Sequence, residues 1–409
     1  MNTPDLTRGP DFRRIFNGLL VAVVFTLSQQ LPAHAVINPV NVTNINFGTA
    51  TYSVAVSGHY AYVTTGSGMR VLDISNPINP LQVGLEDVGT LMVASDNHLY
   101  LLNLGNAVLS VLDISTPSNP VLVGQMQLTN CCYCNLSVSD RYAYATSSAA
   151  WTGGVTICDV SDPTNPVQAG EITMPALHSP YGFAIAGRYG YMPVNGYGLY
   201  AWDISDPTNP RNVGEGAVMN YAYDVAISGN YAYVTASTNA LQVFDISNPT
   251  NPVNLHVYPQ TIPAYDISVA VSGNYAYAFD GPSFAALDIS NPTNSNVVYA
   301  YGSAWQNNSS LITKMAIAGN FVYLPAGNGE GISIWSLGIP APQLAINSTN
   351  GTVILAWPTP TGAFSIQQSP GLNPPAWVTL TNAPIVVGSE NQVTLPSPPG
   401  NTFYRLILQ

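Results

Sequence analysis

The chain repeats itself, and the repeat limits what it can become. The segment Val71-Leu72-Asp73-Ile74-Ser75-Asn76-Pro77-Ile78-Asn79-Pro80 returns around Asp113, Asp159, Asp203, Asp245 and Asp288, at Asp-to-Asp spacings of 40, 46, 44, 42 and 43 residues. A second segment precedes each copy. It reads Ser57-Gly58-His59-Tyr60-Ala61-Tyr62-Val63 first, and recurs clearly as Ser228-Gly229-Asn230-Tyr231-Ala232-Tyr233-Val234 and Ser272-Gly273-Asn274-Tyr275-Ala276-Tyr277. Seven copies of this second segment are present, the last at 318–324, where the Asp segment has decayed to Ile334-Trp335-Ser336-Leu337. A period in the forties, built of short β-rich runs and turn residues, predicts four-stranded propeller blades.

Each unit reads as four strands. The first is Val-Ala-Ile-like, as in 224–228, and the second is the Tyr-Ala-Tyr run. Ser-Gly-Asn between them is a tight hairpin. The third strand ends at the repeated Asp. The fourth follows the Asn-Pro pairs, as in Val121-Leu122-Val123-Gly124. Between the third and fourth strands, Asp, Ser and Asn bond local backbone and Pro ends the ladder. Asp73, Asp113, Asp159, Asp203, Asp245 and Asp288 are therefore read as structural turn residues. They stand in different blades, so they do not pair for acid–base work.

The repeats resemble those of the LVIVD family, named for the strand that ends in this Asp. The resemblance covers about residues 36–338, with six good copies and one poor one. It implies a β-propeller, typical of secreted or surface bacterial proteins, with no common catalytic activity. The poor copy has a structural reason: the chain leaves the repeats there, so the last blade lacks its own fourth strand. Asn38-Pro39-Val40-Asn41-Val42-Thr43 resembles Asn251-Pro252-Val253-Asn254-Leu255. It is expected to supply that strand, closing a seven-bladed propeller over 36–339 and hiding exposed edges.

The flanks differ from the repeats. Arg8, Arg13 and Arg14, then an apolar run over 15–27, then Ala33-His34-Ala35 have the layout of a signal peptide over 1–35. A run of thirteen residues is too short to span a bilayer comfortably. The reading is an exported protein, placed in the periplasm, at the cell surface or outside the cell, with no transmembrane segment in the mature chain. Arg13-Arg14 also partly resembles a twin-arginine signal. Residues 340–409 carry alternating runs at 352–357, 364–367, 377–380, 392–395 and 403–408. They predict a small β-sandwich similar to fibronectin type III modules, with Trp357 and Trp377 as core residues. The fold class is thus all-β throughout.

Charge narrows function. Only 7% of residues are charged, and Lys314 is the single lysine beside eight arginines. After position 35 the formal charge is about −13. A chain this acidic does not neutralise phosphates, so nucleic acid is excluded as a partner. The sequence carries no His-Glu-x-x-His, Gly-x-Ser-x-Gly, phosphate loop, dinucleotide fingerprint or complete EF-hand loop, and no cofactor is expected.

Loop lengths point to one end of the propeller. From each Asp to the end of its Asn-Pro run the distance is 7 in all six good copies. From the second Pro (or Ser295) to the next hairpin Gly or Asp, a stretch spanning the fourth-to-first connection, the distances run from 16 to 24, and from there to the third-strand Asp or Ser336, spanning the second-to-third connection, from 15 to 19. These two loop classes emerge on one face, which is the candidate functional face. Trp151, His178, Tyr181, Tyr197 and Trp305 stand there as candidates for stacking on sugars or anchoring a protein. The bland alternative is packed loop residues. Asp224 and Lys314 each lie five residues before their hairpin Gly, on first strands. They are candidates for the central channel, either binding a polar ligand or simply solvated.

The leading reading is a secreted, non-enzymatic binding or adhesion scaffold for a protein or glycan partner. The alternative is an extracellular polysaccharide lyase or hydrolase with its site in the central funnel. Cysteine adds one further question. Cys158 is expected to be a buried free thiol. Cys131, Cys132 and Cys134 are read as a local disulfide or plain thiols, with a soft-metal site as the weaker alternative.

Overall fold

The computed structural model describes residues 39–86, 89–130, 132–149, 153–216, 222–236, 241–258, 268–279, 283–292, 296–302, 314–325, 331–337, 344–349, 351–358, 364–371, 376–387, 390–398, 400 and 402–408. Among them the chain is all β, with no helix. Six four-stranded antiparallel meanders follow one another, and their third strands end at Asp73, Asp113, Asp159, Asp203, Asp245 and Asp288. Their first strands are Thr51–Ser57, Leu91–Ser95, Tyr133–Ser139, Ala184–Ala186, Ala222–Ser228 and Ser268–Ser272. One more four-stranded sheet joins Ala316–Ala318, Phe321–Pro325 and Gly331–Ser336 to Val40–Asn46. In it Val40 stands opposite Ser336 and Asn46 opposite Gly331, antiparallel.

The core lies between sheets. Tyr62, Met69 and Val71 of the first meander pack on Met92, Leu99 and Leu112 of the second. The pattern continues along the chain, and Tyr323, Ile332 and Ile334 of the last sheet pack on Val54, Val63 and Leu72 of the first. The Tyr-Ala-Tyr run explains the fit. Ala61, Ala143, Ala232 and Ala276 are fully buried and small, while the second tyrosine fills the gap between sheets. Each such burial is worth roughly 1.5–3 kcal/mol for a large side chain. The Tyr62 hydroxyl donates to the Pro117 carbonyl of the next sheet at 3.5 Å, and Tyr191 donates to Ile246 at 3.4 Å. Burial pushes both phenols up to about 12, so they remain neutral donors.

Every meander turns in the same way. Gly58, Gly187, Gly229, Gly273 and Gly319 take φ between 55 and 58° at the first loop position, and Asp96 and Asp140 adopt 51° at the equivalent place. Positive φ at that position alone is the II′ pattern suited to two-residue hairpins. The loop residue after it then anchors the third-to-fourth turn. The N–H groups of Ile74, Ile114, Val160, Ile204, Ile246 and Ile289 donate to the carbonyls of His59, Asn97, Arg141, Arg188, Asn230 and Asn274. Hairpin and turn are therefore held together at one end of each sheet, which explains why neither varies in length.

A glycine in the fourth strand lets neighbouring sheets approach. A side chain at Gly170 would overlap the Pro207 carbonyl oxygen of the next sheet's turn, and one at Gly214 would meet Pro249 in the same way.

Residues after 343 form two further sheets. One has the order Ala345–Thr349, Thr352–Pro358, Glu390–Pro396, Ile385–Val387, and the other Val378–Thr379, Phe364–Ser369, Phe403–Leu408. Val353, Leu355, Trp357, Ile366, Val393 and Leu395 share one core between them. The strands at Ala345–Thr349 and Ile385–Val387 lack a clear alternating signal and escape the sequence reading. Trp377 departs from its expected core position: it is half-buried, with the Arg405 guanidinium 4.3 Å over its ring.

Candidate functional site

The first strands lie side by side in chain order, and Ala316–Ala318 returns to Thr51–Ser57. Backbone bonds tie that return. The Lys314 N–H donates to the Tyr52 carbonyl at 2.9 Å, and the Val54 N–H donates to the Lys314 carbonyl at 3.0 Å. These strands enclose a cavity of about 390 Å³, with lining residues from every first strand.

Hairpin register aligns one position in, or two residues before, each first strand. Five residues before the first loop residue stand Ser53, Leu91, Asn135, Gly182, Asp224, Ser268 and Lys314. Asp224 and Lys314, singled out by sequence, meet here: Lys314 Nζ is 2.7 Å from Asp224 Oδ2. The side chains are 21% and 8% exposed, so water screens the pair only in part. Asn135 Nδ2 donates to Asp224 Oδ1 at 3.1 Å, and the Val269 N–H donates to Oδ2 at 3.1 Å. The Thr235 hydroxyl accepts from the Asp224 N–H at 3.1 Å and fixes the strand. One carboxylate thus gathers groups from three other parts of the ring of first strands. Gly182 makes room for it, since a side chain there would sit 3.0 Å from the Asp224 Cα. Below this polar level the cavity wall is apolar, with Val54, Met92, Leu136, Phe183, Val225 and Val269.

Asn135 and Ser268 were missed by sequence reasoning. The signal was present, because both share the five-residue offset that drew attention to Asp224 and Lys314. Uncharged residues at that offset simply look like ordinary strand residues.

The end bearing the variable loops carries aromatic pairs. The His178 ring stacks on Tyr197 with centroids 3.5 Å apart, and Tyr197 is 40% exposed. His178 Nδ1 is 3.3 Å from the Ala176 carbonyl. Tyr181 meets Tyr223 edge to face at 5.8 Å. Trp151 and Trp305 lie outside the described residues.

The repeated aspartates all cap turns. Oδ1 of Asp73, Asp113, Asp159, Asp203, Asp245 and Asp288 accepts the N–H two residues on, at Ser75, Ser115, Ser161, Ser205, Ser247 and Ser290. Arg141 adds a direct ion pair to Asp159, and Arg188 adds one to Asp203. The Arg141 hydrogen bond holds Asp159 down at about 2, and Arg188 holds Asp203 lower still.

Cysteine chemistry is muted where it is described. Cys134 and Cys158 are buried free thiols. Cys134 Sγ faces the carbonyls of Thr146, Pro180 and Tyr181 at 3.5–3.6 Å. Desolvation pushes both thiols up to about 12, far from the thiolate that metal binding or exchange needs. Cys132 is exposed, and Cys131 lies outside the described residues. Among the described residues no cluster of three or more His, Cys, Asp or Glu has metal-binding geometry.

Repeated four-stranded sheets with their first strands around a common cavity define a β-propeller. The chain belongs to the LVIVD repeat family, whose repeat matches residues 48–85, 93–127, 133–173, 182–216, 220–258 and 265–302. No curated protein matches it in sequence. Among solved structures it is similar to the computationally designed Ika8 protein, with a TM-score of 0.51 and 12% identity over 72% of this chain and 99% of that one. A functionally unknown protein from Desulfotomaculum acetoxidans DSM 771 gives a TM-score of 0.53 at 12% identity, over 66% and 95%. BamB from Moraxella catarrhalis gives 0.47 at 12% identity, over 70% and 83%. At such identity a likeness speaks to fold alone, and nothing functional follows from these three.

Proposed function

We propose that the protein is an exported, non-enzymatic binding scaffold that engages a protein or glycan partner through the variable-loop face of a seven-bladed propeller. In this reading Val40–Asn46 closes the ring, and a fibronectin type III-like module follows from about residue 340 as spacer or secondary adhesion domain. Supporting closure are the pairing of Val40–Asn46 with Gly331–Ser336 and the core shared by the last and first sheets. Supporting the module is its sheet order, which resembles the four-stranded sheet of immunoglobulin-like sandwiches.

The observation that carries the binding reading is the stacked His178–Tyr197 pair. An aromatic pair already held in place, with Tyr197 exposed and His178 half-buried, loses little entropy when a partner covers it, which suits an anchor. The enzyme alternative finds less support. Among the described residues Asp224 is the one buried carboxylate lining the cavity, and both its oxygens already accept hydrogen bonds from Asn135, Val269 and Lys314. Three of its roughly four acceptor positions are thus taken, which leaves little basicity for a substrate proton.

The test is capture from cell-envelope extracts and on a glycan array. Tyr197→Ala and His178→Ala are expected to weaken binding about tenfold or more, as truncated anchors do. Turnover of a polysaccharide that disappears in Asp224→Asn would replace this reading with the enzymatic one.

A further inference from the structure

The axial cavity is a site in its own right, separate from the aromatic end. Its charges cancel internally through Lys314 and Asp224. An anionic or cationic ligand would leave one charge uncompensated in a largely buried place, which is costly. The cavity therefore selects against charge.

It does not select against polarity. An ammonium has three donors, and Asp224 takes one of those on Lys314. Asn135 gives one amide N–H to Asp224, which leaves its carbonyl oxygen and a second N–H. The Ser268 hydroxyl, at the same level of the cavity, makes no hydrogen bond among the described residues. The uncommitted groups thus include donors and acceptors side by side, above an apolar wall of Leu136, Val225 and Val269. Hydroxyls donate and accept at once, and a ring that carries them also presents C–H faces. Some 390 Å³ falls within the size of small-molecule pockets, which run to roughly 300–1,000 Å³.

We infer that the cavity binds a neutral polyol, a single uncharged sugar ring in size, through Lys314 Nζ, the Asn135 amide and the Ser268 hydroxyl. Asp224 is a positioning residue. It holds the lysine and the amide in place and does not touch the ligand.

The experiment is calorimetric titration of the full chain with glucose, galactose, mannose and N-acetylglucosamine, alongside glucuronate and glucosamine as charged counterparts. At least one neutral sugar should bind at one site with a Kd of about 1 mM or tighter, and its charged counterpart about tenfold more weakly. Ser268→Ala should weaken it about tenfold, and Arg211→Ala, an exposed fourth-strand change, should leave it unaltered. Lys314→Gln keeps a donor but removes the charge. If it fails to fold, the double variant Asp224→Asn/Lys314→Gln removes both charges together and should still lose most of the affinity. No binding by any neutral sugar at about 10 mM overturns the inference, as does tighter binding of the charged counterparts. Unchanged affinity in Ser268→Ala overturns it too. Partner capture is scored separately with Tyr197→Ala, so this inference and the scaffold reading fail independently.

Discussion

Lys314 Nζ lies 2.7 Å from Asp224 Oδ2, so the only lysine in the chain is paired with a buried carboxylate, the one that lines the axial cavity among the described residues. The pair crosses from one sheet to another, and Asp224 also accepts from Asn135 and Val269 on two further sheets. A charge this enclosed is kept only if its partners are kept with it.

Asp224→Ala should therefore destabilise the protein by about 3–5 kcal/mol, because it strands the lysine and two donors. Replacing both charges, as Asp224→Leu with Lys314→Met, should recover much of that loss. Urea unfolding of the single and double variants checks this, and equal loss in both would show that the pair is not the main contributor.

Two hairpins carry a residue ill-suited to their backbone. Asp96 and Asp140 hold φ of 51°, where the other copies use glycine. Asp96→Gly and Asp140→Gly should each stabilise by up to about 1 kcal/mol, since glycine adopts that conformation without the Cβ penalty. Thermal unfolding should show a higher Tm for each variant.

Gly170→Ala should do the reverse. The added methyl would overlap the Pro207 carbonyl oxygen, and backbone must move to relieve it. A loss of about 1–3 kcal/mol is expected, as for overpacked cores. The same change at Gly187, which has open space around it, tests backbone strain without a clash.

Acid should weaken the turns in a defined window. Asp73, Asp113, Asp159, Asp203 and Asp245 are all held below the ordinary carboxylate range, Asp159 and Asp203 first by their arginines and the others by Ser hydrogen bonds. A lowered folded pKa means that the contribution is complete above the unfolded value of about 3.9 and is lost as pH falls through the folded one. For Asp159 that loss runs from about pH 4 down to about 2. The Tm should be flat with respect to these groups above about pH 5 and fall below 4. Asp159→Asn, which keeps the turn acceptor, should make the fall shallower.

Buried thiols should be silent. Cys134 and Cys158, with thiols pushed up to about 12, should resist a thiol reagent at about pH 8 in the folded protein and react after denaturation. Rapid labelling of either in the native state would contradict their burial.

The repeat makes much of this architecture readable in the sequence. Ser-Gly-Asn marks a hairpin because glycine supplies a positive φ, and Asp-Ile-Ser marks a turn because a carboxylate two residues back reaches a local N–H. Both effects act within a few residues, so they are written into local sequence. The family resemblance is likewise carried by these local phrases. Strands such as Ile385–Val387 were not readable, because they lack alternation and take their place from pairing with Glu390–Pro396.

The site divides along the same line. Sequence register put Asp224 and Lys314 at equivalent places on first strands, and nothing more. Their union needed the strands to be wrapped around one cavity, which brings together two residues 90 positions apart in the chain. The stacking of His178 on Tyr197 is of the same kind, decided by where two loops of one sheet end. Turn chemistry and strand order follow from neighbours in the chain. Which side chains meet across the axis follows from packing between sheets, where partners far apart in sequence become the nearest atoms in space.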